Sequence, residues 1–337
     1  MPESFINIKE LAQALGLSKS TVSRAFRNKS DISPKTKKYV LEKAKELGYY
    51  PNIHASNLRD SKSKTVAVVM PELANNYFSL AVKGIEKVVK ANGYHTLIYV
   101  TDSLYEKEAE IVETLYNGRV EGIIMSVSGE GKDHDYIDKL KQNDIPLVFF
   151  DRVYEDVEAP KVVTDDYDSC YKATSYFLEN GCRKVCFLVI DKNVSIGQTR
   201  LAGYIDAHKA CGVKLDEELI IDCSNDLEQS YGSIKHALKV YRPDALVSSV
   251  ERLATTTYQV CIDENIRIPE DIKIISYTNI QVAALLNPAL STIEQPAEEV
   301  GEHAAELLFE VLQQKDLTGE RAVLSSKIIH RASTRKC

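Results

Sequence analysis

At 337 residues and 44% hydrophobic composition, the chain is long enough for two or three domains with separate cores and reads as an ordinary soluble protein. No apolar run approaches the length of a membrane span and Met1 to Lys9 lacks an apolar signal core, which argues against a membrane protein or an exported one and for a cytoplasmic setting. The net charge of −7 hides an asymmetry, with 13 Lys and Arg against 6 Asp and Glu in residues 1–64 but 29 against 43 in the remainder, so a polyanionic partner suits the small part only.

The first element to stand out runs from Ile6 to Arg27. Asn7 precedes an apolar rhythm of Ile8, Leu11, Ala12 and Leu15, and Glu10 is placed to complete a capping box. Gly16 ends that helix and Ser18 can cap the next, which turns Val22, Ala25 and Phe26 inward. Its other face carries Lys19, Ser20, Thr21, Ser23, Arg24 and Arg27. Two short helices joined by a tight turn, the second basic and polar on its open face, make a helix-turn-helix. A third helix follows, with Ser33 as N-cap, Pro34 at N1, Gly48 as stop, and Val40, Ala44 and Leu47 closing the core. The polar stretch from Pro51 to Lys64 reads as a linker or as a segment that folds on binding.

After Thr65 short apolar strands alternate with amphipathic helices. The first series of strands is Thr65–Met70, His95–Val100, Gly122–Val127 and Leu147–Phe150, with helices at Ser79–Ala91 and Glu106–Tyr116. The second is Lys184–Ile190, Leu219–Asp222, Ala245–Ser249 and Ile272–Ser276, with helices at Tyr167–Glu179, Leu201–Ala210, Ser230–Val240 and Glu251–Glu264. Such alternation predicts two doubly wound parallel sheets, hence two α/β lobes with a ligand cleft at their strands' carboxyl ends.

The motifs of common enzymes are missing. There is no phosphate-binding glycine loop, no dinucleotide fingerprint, no zinc-protease helix and no nucleophile elbow. Asp133, His134 and Asp135 are consecutive, which does not converge on a metal, and read as a solvated loop. The seven cysteines are scattered without a CxxC pair, and Cys182 and Cys186 are wrongly arranged for a closed zinc site, so reduced thiols are expected. Asp151 and Asp165-Asp166 at strand ends could act as bases or hydrogen-bond a polar ligand. An exported solute-binding protein would have similar lobes but no helix-turn-helix. A regulator is favoured over both a solute-binding protein and an enzyme.

The segments INIKELAQALGLSKSTVSRAFRN and ISPKTKKYVLEKAKELGYYPN, and the spacing Asn52, Ala55, Leu58, are joined by later landmarks. These are RLAGY from Arg200, IPEDIKIISY from Ile268 and NPALSTIEQP from Asn287. Together they resemble the lactose/galactose repressor family of bacterial transcription regulators. The resemblance implies a periplasmic-binding-protein-like core of type I behind a small all-α helix-turn-helix domain. Boundaries are then 1–51 for the head, 52–64 for the hinge and 65–337 for the core. The first lobe would take about 65–165 plus 294–320 and the second about 166–293 plus 321–337, with Ile293 to Leu317 returning to the first.

It also implies a homodimer on a near-palindromic operator in double-stranded DNA, switched by a small-molecule effector, with no cofactor and no metal. The chain shows no leucine heptads near Cys337, which favours a dimer over a tetramer. Lys19, Ser20 and Arg24 would read bases, while Thr21, Ser23 and Asn28 hold phosphates. Asn52, Ala55 and Leu58 would form a hinge helix in the minor groove, with Leu58 as an apolar wedge.

Effector contacts carried over from relatives are Tyr77, Phe78, Ser126, Asp151, Asp165, Arg200 and Gln295. The alternatives are that Tyr77 and Phe78 cap the core and that Asp151 pairs with Arg152 or Arg200. Thr278 stands where sugar- and purine-responsive relatives place an Asp, Val250-Glu251 replaces a polar pair, and Asn225 replaces a stacking aromatic. These departures point to an anionic effector such as a sugar acid or sugar phosphate anchored by Arg200. A neutral sugar held by Asp151 and Gln295 is the alternative.

Overall fold

The computed structural model describes residues 6–26, 32–49, 63–116, 119–129, 134–192, 194–224 and 226–335. The expectations for Asn28, Asn52, Ala55, Leu58 and Asn225 lie outside these residues. The chain divides into two compact units, 1–63 and 64–337.

The small unit contains three helices, α1 (Ile8–Ala14), α2 (Lys19–Phe26) and α3 (Pro34–Glu46). Asn7 Oδ1 accepts from the amides of Lys9 at 2.9 Å and Glu10 at 3.2 Å, and Glu10 Oε2 accepts from Asn7 N at 2.8 Å, which is the expected capping box. Gly16 and Gly48 adopt φ of +64° and +65°, the left-handed stop that each helix requires. Ser18 and Ser33 each accept from the amide three residues on, at 3.1 Å. Leu11, Ala12, Leu15, Val22, Ala25, Val40 and Ala44 form the core. Leu47, expected there, is instead 43% exposed as the C-cap residue of α3. The space against Phe26 is taken by the Tyr49 ring, at 5.4 Å.

The large unit has two six-stranded sheets. The first contains β1 (Thr65–Met70), β2 (His95–Val100), β3 (Gly122–Met125), β4 (Leu147–Phe150), β5 (Lys161–Thr164) and β11 (Arg321–Leu324), in the order β11-β5-β4-β3-β1-β2, all parallel. The second contains β6 (Val185–Val189), β7 (Ile220–Asp222), β8 (Ala245–Ser248), β9 (Lys273–Tyr277), β10 (Ser291–Glu294) and β12 (Lys327–Ile329), in the order β12-β10-β9-β8-β6-β7. Here only β12 is antiparallel, to β10.

Helices cover both faces of each sheet, and the burial follows the strand period of two. Ala67 and Val69 of β1 face one core, Val66, Val68 and Met70 the other. The first sheet's helices are α4 (Asn76–Ala91), α5 (Tyr105–Leu115), α6 (Asp135–Gln142) and α11 (Ala297–Leu312). Those of the second are α7 (Asp166–Glu179), α8 (Ser195–Ala210), α9 (Leu227–Val240) and α10 (Glu251–Asp263). Helices α4 and α11 touch backbone to backbone. A Cβ on Gly84 would stand 2.0 Å from the Glu298 carbonyl oxygen, and one on Gly301 2.0 Å from that of Ala81.

Three crossovers join the lobes, after β5, after β10 and after β11, and two expected boundaries move. Ser291–Glu294 pairs with β9, so the return to the first lobe begins at Ala297 rather than at 293 or 294. Arg321–Leu324 pairs in register with Lys161–Thr164, so the first lobe extends through residue 324, not 320. The crossovers are tied to one another. Ser326 N donates to Asp165 Oδ1 at 2.7 Å, and Gln295 Nε2 donates to Thr164 Oγ1 at 2.7 Å.

Candidate functional site: a basic helix and an interlobe cavity

Two sites emerge, one on each unit. On the small unit, α2 carries Lys19, Ser20, Thr21, Ser23 and Arg24 outside the core. Ser20 and Arg24 are exposed, while Lys19, Thr21 and Ser23 are half-buried. Ser18 ties the start of the helix down through hydroxyl contacts to Ser20 at 2.7 Å and Thr21 at 2.8 Å. The first turn holds no acidic residue and carries Lys19, so the start of the helix is an electropositive end.

On the large unit, a cavity of about 50 Å³ lies where the strands of both sheets end. It is built from residues that follow β1 (Glu72, Asn75), β4 (Asp151, Arg152), β8 (Ser249 to Glu251), β9 (Thr278, Asn279) and β10 (Gln295). Tyr77 and Phe78 at the start of α4, and Ile196 and Arg200 on α8, complete it. A larger cavity of about 750 Å³ sits at the opposite end of the first sheet, by Ile145 to Leu147 and Pro160, among mostly aliphatic side chains. The smaller one gathers the ionisable groups at the strands' carboxyl ends, where α/β folds bind ligands. It is the candidate site.

Six of the expected effector contacts meet there: Tyr77, Phe78, Asp151, Arg200, Thr278 and Gln295. Phe78 is also a core residue, packed edge-on to Phe150 at 6.1 Å and to Tyr77 at 5.5 Å. Ser126 stands behind the wall, its hydroxyl 3.4 Å from Asp151 Oδ2. Asp165 does not line the cavity, because its carboxylate is spent on Ser326. Its neighbour Asp166 does not line the cavity either, but holds Arg200, which does, and accepts from Thr164.

Arg200 is committed within the protein. Its Nε and Nη2 each lie 2.6 Å from Asp166 Oδ1, Nη1 donates to Ser249 O at 2.6 Å, and the guanidinium lies 3.8 Å from the Tyr277 ring centroid. Burial is the largest influence and opposes its charge, but Asp166, Tyr277 and Asp151 together hold its pKa above the ordinary value. Asp151 pairs with neither Arg152 nor Arg200 through a hydrogen bond. Burial pushes its carboxyl up to about 6, against the opposing pull of the Arg152 charge. Thr278 donates to Glu251 at 2.9 Å, and burial raises the Glu251 pKa.

Contacts close the cavity from both lobes. Arg252 Nη1 donates to both oxygens of Glu72, at 3.0 and 3.1 Å, and Val153 N donates to Ser195 Oγ at 3.1 Å. Two donors in the wall have no hydrogen-bond partner, Arg152 Nε and Ser249 Oγ, and the Tyr77 hydroxyl lies against Asp151. Sequence reasoning missed Glu72, Arg152 and Ser249 as lining groups. Their shared signal is position, within two residues of a strand's carboxyl end.

His134 and Asp135 are not a solvated loop. Asp135 opens α6, and His134 stacks on Tyr154 at 4.0 Å with Nε2 3.3 Å from Asp156. Among the described residues no three His, Cys, Asp or Glu side chains could share a metal ion, and no helix is long and apolar enough to cross a membrane.

Comparison with known proteins agrees with both halves. A family described as "Periplasmic binding proteins and sugar binding domain of LacI family" matches residues 63–334, and one described as "Bacterial regulatory proteins, lacI family" matches residues 7–52. The chain is 28% identical over 330 residues to the HTH-type transcriptional regulator RegA of Clostridium saccharobutylicum, covering 97% of this chain and 99% of that protein. It is 28% identical over 332 residues to the HTH-type transcriptional repressor PurR of Vibrio atlanticus, covering 97% and 98%. Among solved structures, the lac repressor dimer bound to operator and the anti-inducer ONPF shares the fold at a TM-score of 0.85. Identity there is 20%, over 99% of this chain and 100% of that one.

Proposed function

The chain belongs to the LacI family of bacterial regulatory proteins, and from that premise we infer a transcriptional regulator that binds operator DNA as a homodimer and is switched by a small molecule. The observation that carries the reading is the joining, in one chain, of a basic helix-turn-helix to a two-lobed core whose cavity is walled by polar groups from both lobes. We read residues 1–51 as the head, 52–64 as the hinge and the remainder as core, in a cytoplasmic protein that is a regulator and not an enzyme.

In this reading α2 enters the major groove. Lys19, Ser20 and Arg24 reach base edges, and Thr21, Ser23 and Asn28 hold phosphates. Asn52, Ala55 and Leu58 form the hinge contact, with Leu58 as the wedge. The effector occupies the interlobe cavity against Tyr77, Asp151, Thr278 and Gln295. At about 50 Å³ the cavity is far smaller than the roughly 300 Å³ or more of typical ligand sites, so the lobes part to admit a ligand and re-form around it. A ligand that binds the two arrangements unequally shifts their populations, and that difference is the switch.

Dimer formation is assigned to exposed apolar residues on both lobes. They are Leu97 and Ile98, 41% and 43% exposed on the edge strand β2, and Val282 and Leu285, 53% and 81% exposed in the turn after β9. Apolar side chains this open on an edge strand are covered when two copies meet.

The test is selection of duplexes from a random pool by the full-length protein, followed by titration. We expect a near-palindromic consensus and an affinity that falls steeply with salt. Arg24→Ala is expected to relax discrimination at one base position by about 1–3 kcal/mol. Enrichment of no consensus would overturn the reading.

A further inference from the structure

Three arginines surround the interlobe cavity, and two of them have a carboxylate partner. Arg200 is bound to Asp166 and Arg252 to Glu72. Arg152 differs. It is only 6% exposed, its Nη1 donates to the neutral Ser103 hydroxyl at 3.2 Å, and its Nε has no acceptor. Among the described residues it forms no ion pair, and of the acids whose charge reaches it, Asp151 is hydrogen-bonded to Ser126 and Glu72 to Arg252 and Asn75, with Asp191 the third. A guanidinium held out of water without its acceptors is costly to keep unless something completes it. It stands in the wall of the cavity that gathers polar groups from both lobes.

We propose that Arg152, not Arg200, is the specificity-determining residue of this cavity and that it selects an effector bearing an acidic group, a carboxylate or a phosphate. The inference rests on the reading of the cavity as the effector site. One more orphaned donor extends it, Ser249 Oγ of the second lobe, and the Tyr77 hydroxyl of the first lobe stands beside Asp151. An acidic group has several acceptor lone pairs, enough to serve Arg152 and a neighbouring hydroxyl together. A neutral hydroxyl offers the fork a single oxygen and no charge.

The negative charges nearby do not forbid an anion. Asp166 and Glu72 are neutralised by their own arginines, and Glu251 is engaged by Thr278. Asp151 and Asp191 are the remaining acids whose charge reaches Arg152, and burial already favours the neutral form of Asp151. The groups around Asp151 are Arg152, Asp166, Arg200, Tyr77 and the Ser126 hydroxyl. A proton taken up there lets a ligand's negative charge replace the one Asp151 gives up.

The test is calorimetric titration of the full-length protein with acids and their neutral parents. The probes are D-glucuronate, D-galacturonate, D-gluconate and D-glucose 6-phosphate against D-glucose, D-galactose and D-glucitol. At least one acid should bind at least ten-fold more tightly than its neutral parent, and the carboxylate and phosphate arms say which acid is read. Arg152→Gln should abolish that preference, and Arg152→Lys, which keeps the charge but not the fork, should restore part of it. Thermal unfolding of both variants controls for folding, and the lysine variant stands in if the glutamine one fails to fold.

A neutral compound that binds as tightly as the acid, an acid whose affinity survives Arg152→Gln, or a panel in which no acid binds would each overturn the proposal. Operator titration of the same preparations separates the two levels. Sequence-specific DNA binding with no preference for acids sinks the acid alone, and absence of sequence-specific binding by the wild type sinks the regulator reading.

Discussion

Asp151→Asn should make the core more stable at neutral pH. The Asp151 carboxyl is 6% exposed, and burial lifts its pKa from 3.8 to about 6. The folded state therefore binds its proton more tightly than the unfolded chain does. The stability linked to that proton is present in full below pH ~4, is lost as pH rises toward 6, and stays lost above it. A shift of about two units corresponds to about 3 kcal/mol. Asparagine is close in shape, carries no charge and tolerates the left-handed backbone that Asp151 adopts at φ +60°. The variant should exceed the wild type by up to about 3 kcal/mol at pH 8 and match it near pH 4. Urea unfolding followed by circular dichroism at both values measures the difference. A variant less stable than wild type at pH 8 would refute the argument and show that the ionised carboxylate is favourably held by the Arg152 charge.

Four further outcomes are expected. Gly84→Ala places a methyl 2.0 Å from the Glu298 carbonyl oxygen and should force α4 and α11 apart, a loss of about 1–3 kcal/mol or more in urea unfolding of the core. Asn7→Ala removes the acceptor of two helix-start amides and should cost about 1 kcal/mol, read from melting of the head. Ile98→Glu should yield a monomer in sedimentation at concentrations where the wild type is a dimer, and an unchanged mass would move the interface elsewhere. Leu58→Ala should leave the dimer intact and lower operator affinity, and unchanged affinity would remove the wedge.

The local rules read well where chemistry is concentrated. Asn7 with Glu10, Gly16, Ser18, Ser33 with Pro34, and Gly48 each perform the capping or stopping role their residue types dictate, because those bonds form within four residues. The long apolar strand Thr65–Met70 was equally legible, as was the shorter but wholly apolar Leu147–Phe150. Other short strands were not. Lys161–Thr164, Ser291–Glu294, Arg321–Leu324 and Lys327–Ile329 have three or four residues each, too few for a period, and three of them join strands distant in the chain. Helix α8 starts at Ser195, six residues ahead of the expected Leu201, because Ser195 to Arg200 has little apolar rhythm. Gly197 is there for closeness, as a Cβ would meet the Asp191 carbonyl oxygen at 2.0 Å. The site shows the same division. Arg200 and Gln295 could be placed in the cavity wall, but their partners could not, because Asp166 reaches Arg200 from a neighbouring helix and Thr164 reaches Gln295 from the other lobe. Asp165 and Asp166 face opposite duties from adjacent positions, which no one-dimensional pattern resolves.

The three crossovers have a consequence for the order in which the protein can be made. Most of the first lobe's strands emerge from the ribosome early, yet one face of their sheet is covered by α11, whose Val300, Ala304 and Leu308 pack on Val66, Val68 and Ile124. Those residues are translated more than 170 positions after β3, and β11 follows them. The second sheet likewise waits for β12. A nascent chain thus carries an open apolar face through the synthesis of the whole second lobe, an interval of some tens of seconds or less at about 5–20 residues per second. Both lobes are completed only in the last few dozen residues, so a ribosome that stalls between β10 and α11 releases two sheets that each lack an edge strand rather than one sound domain and one broken one.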